Sequence, residues 1–121
     1  TGENLLSLLE KRLDNAVYRL GFSSSRKQSR QWVTHGHVRV NGRRVGVPNY
    51  QVRAGDEITV SGELAKNVFL QSAVESSSGR GVPEWLRLDA ENLKGTVVRD
   101  PQRTDITYPI EEQLIVELYS K

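Results

Sequence analysis

The chain has 121 residues, of which 36% are hydrophobic and 26% are charged, a composition typical of one compact domain. No uninterrupted apolar run exceeds three residues, whereas a membrane span needs roughly 20, so we expect no membrane partner. The absence of cysteine excludes disulfides, thiolate zinc sites and thiol nucleophiles. With only two histidines as well, the composition predicts neither a metal nor a cofactor.

The distribution of charge is more informative than the net charge of +2. Residues 15–55 contain eight Lys or Arg and no Asp or Glu, whereas residues 56–121 contain seven basic and twelve acidic side chains. An ordinary solvated face mixes both signs of charge. The basic stretch therefore predicts a positive surface whose partner is a polyanion.

Two helices are predicted in the first third of the chain. The first is indicated by apolar residues at three- and four-residue steps, and Gly21 ends it. These apolar residues are Leu5, Leu6, Leu9, Leu13, Ala16, Val17 and Leu20. Ser25 and Gln28 have the spacing of a capping box and predict a second helix over 26–34, ended by Gly36.

After the second helix the apolar period changes to two, which predicts strands. Val38 and Val40 alternate with a polar residue, and Asn41-Gly42 then gives a strong hairpin signal. Further short strands are predicted up to Val60. The fold class is therefore α+β: a two-helix corner packed on a small twisted antiparallel sheet, followed by an acidic C-terminal extension.

Composition divides the chain into three segments. Residues 3–64 form the module just described, and residues 65–81 form a connector that ends in a Ser/Gly-rich flexible linker. The periodicity of residues 64–75 fits a helix or a strand. Residues 82–121 carry too little apolar content for a core of their own. We interpret them as part of a second domain and expect them to be held loosely.

The second helix predicts a phosphate-binding face. At about 100° per residue, Arg26, Lys27 and Arg30 share one side of this helix. The free amides at the helix start, with the hydroxyls of Ser24 and Ser25, favour anions at the same end. Together they indicate contacts with a nucleic-acid backbone.

The predicted hairpin is also basic, since it contains Arg39, Arg43 and Arg44. Because adjacent strand residues face opposite ways, only one of Arg43 and Arg44 can share the face of Arg39. Two basic elements from different parts of the chain can line a groove for folded RNA, which is recognised through phosphates and shape. His35 and His37 are predicted to bond phosphate or backbone, since two histidines without a nearby carboxylate make a poor metal site.

No set of residues with the chemistry of a catalytic centre is found, so the chain is predicted not to be an enzyme. Trp32 and Trp85 are predicted to fill the core, because base-stacking aromatics would be expected inside the basic region.

Several motifs in the basic half are shared with one family. They are Arg12–Asn15, Tyr18–Phe22, Ser25-Arg26, Ser29–Gln31, His35–Val38, Val40–Gly42, Val45 and Gly55-Asp56. They resemble the RNA-binding module named after small-subunit ribosomal protein four, which also occurs in some pseudouridine synthases and tyrosyl-tRNA synthetases. The predicted RNA contacts are completed by Arg19 and Arg53 from the basic stretch, and by Gln31 and Asn41 from these motifs.

The C-terminal part resembles the bacterial-type family of that ribosomal protein, through Pro83–Leu86, Gly95–Val97, Ile106 and Glu112–Lys121. The resemblance implies a structural constituent of the small ribosomal subunit that lacks the family's N-terminal region. It implies binding to the five-way junction in the 5′ domain of small-subunit rRNA early in assembly. It also implies a contact with ribosomal protein five, support of decoding accuracy and, in some members, repression of their own mRNA. The implied location is a cytoplasmic or organellar ribosome.

Two alternatives stay open. One is a free-standing RNA-binding module that acts on tRNA or stalled ribosomes; the long acidic tail argues against it. The other is an RNA-modifying enzyme without its catalytic domain, which an assay for pseudouridine formation would detect.

Overall fold

The computed structural model describes residues 7–77 and 81–102, which form an α+β fold as predicted. Its helices are α1 (Leu13–Arg19), α2 (Arg26–Thr34), α3 (Gly62–Ala65) and α4 (Val68–Ser77). Its strands are β1 (Val38–Val40), β2 (Arg43–Arg44), β3 (Glu57–Val60), β4 (Leu86–Asp89) and β5 (Lys94–Val97). All strand pairs are antiparallel, in the order β2-β1-β3-β5-β4. No helix in these two ranges is long and apolar enough to cross a membrane.

The first predicted helix is interrupted, and this part of the prediction is wrong. Residues 7–10 are helical, but Arg12 is extended (φ −63°, ψ 141°) and forms an isolated β-bridge with Gln51. The amide of Leu13 donates to the carbonyl of Tyr50 at 2.8 Å, so the backbone pairs with residues distant in sequence. The apolar spacing continues across the break, which is why the pattern indicated one helix.

The second helix and the hairpin turn are confirmed. Ser25 Oγ accepts from the amide of Gln28 at 3.1 Å and thereby caps α2. The reciprocal bond differs from a capping box, because Gln28 Oε1 accepts from the amide of Ser24. Asn41 (φ 53°) and Gly42 (φ 82°) both have positive φ, the requirement of a type I′ turn.

The segment that fitted either helix or strand is helical, since α3 and α4 together cover most of residues 62–77. The predicted flexible linker is shorter than its composition suggested, because residues 76 and 77 belong to α4. Residues 78–80 lie outside the described residues.

The described part of the C-terminal extension is integrated into the module, which differs from the expectation that it is held loosely. Strand β5 pairs with β3 and β4 pairs with β5, so the β4–β5 hairpin enlarges the sheet to five strands. Trp85 is fully buried in the same core as Phe22 and Trp32, as predicted for both tryptophans. The side chain of Leu20 occupies the place that a Cβ at Gly95 would take, so α1 packs directly on the backbone of β5. Residues 103–121, the rest of the extension, lie outside the described residues.

A buried carboxylate connects the start of the module to this hairpin. Glu10 is fully buried, and its Oε2 accepts from Arg19 Nε and from Trp85 Nε1, each at 3.2 Å. Its backbone carbonyl accepts from Asn15 Nδ2 at 2.7 Å. Glu10 thus forms hydrogen bonds both with α1 and with Trp85, which directly precedes β4.

Hydrogen exchange is expected to show the amides of β5 as protected as those of α1. Strand β5 lies in the interior of the sheet, paired on both sides, and the amide of Val97 donates to the carbonyl of Asp56 at 2.9 Å. The measurement is residue-resolved exchange on the 121-residue chain under native conditions. Fast exchange throughout β5 beside slow exchange in α1 would show that the hairpin is held separately.

Candidate nucleic-acid interface

The exposed face of α2 contains the basic residues predicted for it. The exposed residues of this helix recur at one- and four-residue steps, which places them on one side of it. They are Arg26, Lys27, Arg30, Gln31 and Thr34. The opposite side buries Trp32 and Val33 in the core. Ser24 and Ser25 are exposed at the start of the helix, where the Ser25 hydroxyl serves as the cap.

The hairpin places two arginines side by side. Arg39 and Arg44 are direct cross-strand partners, so Arg44 is the residue that shares the face of Arg39. Arg43 is opposite the buried Val40 and is itself exposed at the sheet edge. The Arg44 side chain passes over Gly36, with its Cδ 3.2 Å from where a Cβ would lie. Arg44 therefore joins the hairpin to the C-terminal end of α2.

Six of the eight basic side chains in residues 15–55 make no ion pair or hydrogen bond with any other part of the described structure. They are Lys27, Arg30, Arg39, Arg43, Arg44 and Arg53. Like charges directly opposite each other on neighbouring strands are destabilising, so the Arg39–Arg44 pair has no structural benefit of its own.

The two remaining cations have internal partners. Arg19 forms an ion pair with the buried Glu10, which gives it a structural role. Arg26 donates from Nε to Asn15 Oδ1 at 2.9 Å, and its Cζ is 4.7 Å from the centre of the Tyr18 ring. Arg26 thus has internal partners although residues 15–55 contain no carboxylate, because an amide and an aromatic ring contact its guanidinium group.

The histidines are at the junction between α2 and β1, as predicted. His35 is the exposed C-cap of α2, and His37 Nδ1 is 3.1 Å from Ser61 Oγ. Within residues 7–77 and 81–102, no group of three His, Asp or Glu side chains is placed to hold a metal ion.

Asn41 and Arg53 are at the other end of the strands. Asn41 Nδ2 donates to Asp56 Oδ1 at 3.0 Å, and Asn41 Oδ1 accepts from the amide of Glu57 at 2.9 Å. These bonds tie the hairpin turn to the turn before β3, so the Asn41 side chain is used for structure. Arg53 is exposed beside that turn and is not brought to the end where Arg44 meets α2.

Comparison with known proteins finds one family that is similar to this module. The family described as "S4 domain" matches residues 11–58, which run from the bridge at Arg12 into β3. Residues 11–58 are therefore similar to S4 domains.

Similarity to particular proteins extends over all 121 residues. The chain is 56% identical to "Small ribosomal subunit protein uS4" of Anaeromyxobacter sp. (strain Fw109-5). It is 54% identical to the proteins of the same name from Pelobacter propionicus and Ruminiclostridium cellulolyticum. Each alignment covers 100% of this chain and 58% of the relative. The resemblance to the family of small-subunit ribosomal protein four is confirmed, and these relatives are named as ribosomal subunit proteins and not as enzymes.

Proposed function

We propose that the chain is a structural constituent of the small ribosomal subunit and binds small-subunit rRNA through its RNA face. This face consists of the exposed side of α2 with the β1–β2 hairpin, and its cations are Arg26, Lys27, Arg30, Arg39, Arg43 and Arg44. The observation that carries the proposal is that five of these six cations, all except Arg26, are exposed and make no side-chain hydrogen bond or ion pair with another described residue. Two of the five, Arg39 and Arg44, are in direct register on neighbouring strands. A polyphosphate backbone would supply the negative charge that these cations lack within the module.

The chemistry of the RNA face is that of backbone recognition. Guanidinium groups donate two parallel hydrogen bonds to phosphate oxygens, and the free amides at the start of α2 favour anions at the same end. Since the cations come from a helix and from a hairpin, they match phosphates arranged by a folded RNA better than those of an extended strand. Binding by this face positions RNA and requires no bond making or breaking in it.

The finer parts of the proposal extend the resemblance. The RNA element is the five-way junction of the 5′ domain, bound early in assembly, and the protein neighbour is ribosomal protein five, through which the chain supports decoding accuracy. Some members of the family also bind their own mRNA. The proposed location is a ribosome, cytoplasmic or organellar.

Binding to a transcript of the 5′ domain of small-subunit rRNA tests this function. If about five or six cations of the RNA face meet phosphates, log K against log salt concentration should have a slope of roughly −3 to −6, at about 0.7–0.9 per contact. Footprinting on the same transcript should show protection at the junction. Equal affinity for single-stranded homopolymers, or a slope near zero, would contradict the proposal, and preference for tRNA would favour a free-standing module.

A further inference from the structure

We infer that Tyr18 and Asn15 are positioning residues for RNA binding, because they hold the Arg26 guanidinium in place before RNA arrives. This inference rests on the proposed function. Arg26 is the first residue of α2, beside the serines at the helix start. Its Nε–H donates a hydrogen bond to Asn15 Oδ1 at 2.9 Å. Its Cζ lies over the Tyr18 ring, 4.7 Å from the ring centre. Both contacts come from α1, one turn apart.

Asn15 is held rigidly enough to orient its partner. It is 3% exposed, and its Nδ2 donates to the carbonyl of Glu10 at 2.7 Å. Because the amide nitrogen is bound to a carbonyl, the amide oxygen must face Arg26, which fixes the orientation of the side chain. Glu10 is fully buried and Arg26 is exposed, so the two hydrogen bonds that connect Glu10, Asn15 and Arg26 lead from the core to the surface.

The way in which Arg26 is held suits phosphate recognition. An arginine has five N–H donors, and Asn15 takes the one on Nε. Bidentate recognition of phosphate can use the two Nη groups at the far end of the side chain. A guanidinium whose orientation is set in advance loses less conformational freedom on binding, so each hydrogen bond contributes more to affinity.

The other cations of α2 provide the contrast. The side chains of Lys27 and Arg30 are exposed and make no hydrogen bond or ion pair with another described residue. Among the cations of α2, Arg26 is thus the one that other side chains hold in place, and it is also the one nearest the start of the helix. We infer that Arg26 is the anchor that sets the register of the RNA face, while its neighbours add less directed attraction.

A double-mutant cycle on the 121-residue chain tests the inference. Tyr18→Leu removes the ring beneath the guanidinium and leaves every charge in place; a cation–π contact of this kind predicts a loss of affinity for the 5′-domain transcript of about three- to tenfold. The slope of log K against log salt should stay unchanged, whereas Arg26→Ala should make it less steep by about 1. In the Arg26→Ala background, Tyr18→Leu should cause no further loss, because its effect passes through Arg26.

Tyr18→Phe is the matched control, since it keeps the ring, and it should bind within about twofold of the wild type. Slow solvent exchange of the Arg26 Nε–H in the free protein is a second readout that requires no substitution. An equal loss from Tyr18→Leu in both backgrounds, or a rapidly exchanging Nε–H, would overturn the inference. If Arg26→Ala, Lys27→Ala and Arg30→Ala all bind with full affinity, the proposed function itself fails; if they bind weakly and Tyr18→Leu does not, only the positioning role fails.

Discussion

Replacing Glu10 by alanine is expected to lower the free energy of unfolding by about 3–5 kcal/mol, the cost of breaking one side of a buried ion pair. The substitution leaves Arg19, whose side chain is only 19% exposed, without the carboxylate bound to its Nε. It also removes the acceptor of the indole N–H of Trp85, a fully buried residue. Denaturant unfolding measures the loss, which is a large share of the 5–15 kcal/mol typical of a small domain.

Glu91→Ala is the matched control, because this exposed glutamate precedes β5 and its side chain makes no hydrogen bond or ion pair with another described residue. Its unfolding free energy should stay within about 0.5 kcal/mol of the wild type. A Glu10→Ala variant as stable as this control would show that the β4–β5 hairpin is docked without help from the carboxylate.

Local signals predicted the elements around the RNA face well. Asn41-Gly42 needs only its own backbone preference to form a type I′ turn, and Ser25 with Gln28 marks the start of α2. The break at Arg12 could not be predicted in this way, because it depends on pairing with Gln51, which is 39 residues away. Long-range pairing leaves no trace in the spacing of apolar residues.

The same limit explains the missed strands. Strand β5 carries Gly95, a residue depleted in strands, and the glycine is needed because Leu20 packs on the backbone there. Only the tertiary arrangement shows this requirement. Glu10 was also missed, although it left a signal: it lies three residues before Leu13 and seven before Val17, on the apolar side of the helical pattern. An acidic residue in such a position is expected to find a buried partner.

At the candidate site, the charge pattern predicted which residues are exposed better than which have internal partners. The lack of carboxylates in residues 15–55 correctly indicated free cations on α2 and the hairpin, such as Arg30 and Arg39. It gave no sign of the partners of Arg26, which are an amide and an aromatic ring, or of Glu10, which precedes the stretch and pairs with Arg19. Amides and aromatic rings also bind guanidinium groups.

Replacing Arg30 and Arg39 together by alanine is expected to weaken binding to the 5′-domain transcript at least hundredfold, without lowering the melting temperature. Each lost charge-assisted bond to phosphate costs about 1.5–3 kcal/mol of binding, and the salt slope should become less steep by about 2. Stability should be kept because neither side chain has an internal partner among the described residues. Arg39→Ala also relieves the repulsion from Arg44 across the hairpin. Filter binding over a salt series and thermal unfolding measure the two effects.

Lys66→Ala with Arg87→Ala gives the control, because it removes the same total charge from two exposed residues outside the RNA face. Lys66 follows α3, and Arg87 is on β4 opposite Thr96. Their loss lowers only the general attraction between protein and RNA, which salt screens, so at physiological ionic strength the affinity should fall less than about threefold. If both pairs of substitutions weaken binding equally, net charge alone governs the interaction and the RNA face is misplaced. If Arg30→Ala with Arg39→Ala instead melts early and binds fully while folded, these arginines stabilise the fold and contact no phosphate.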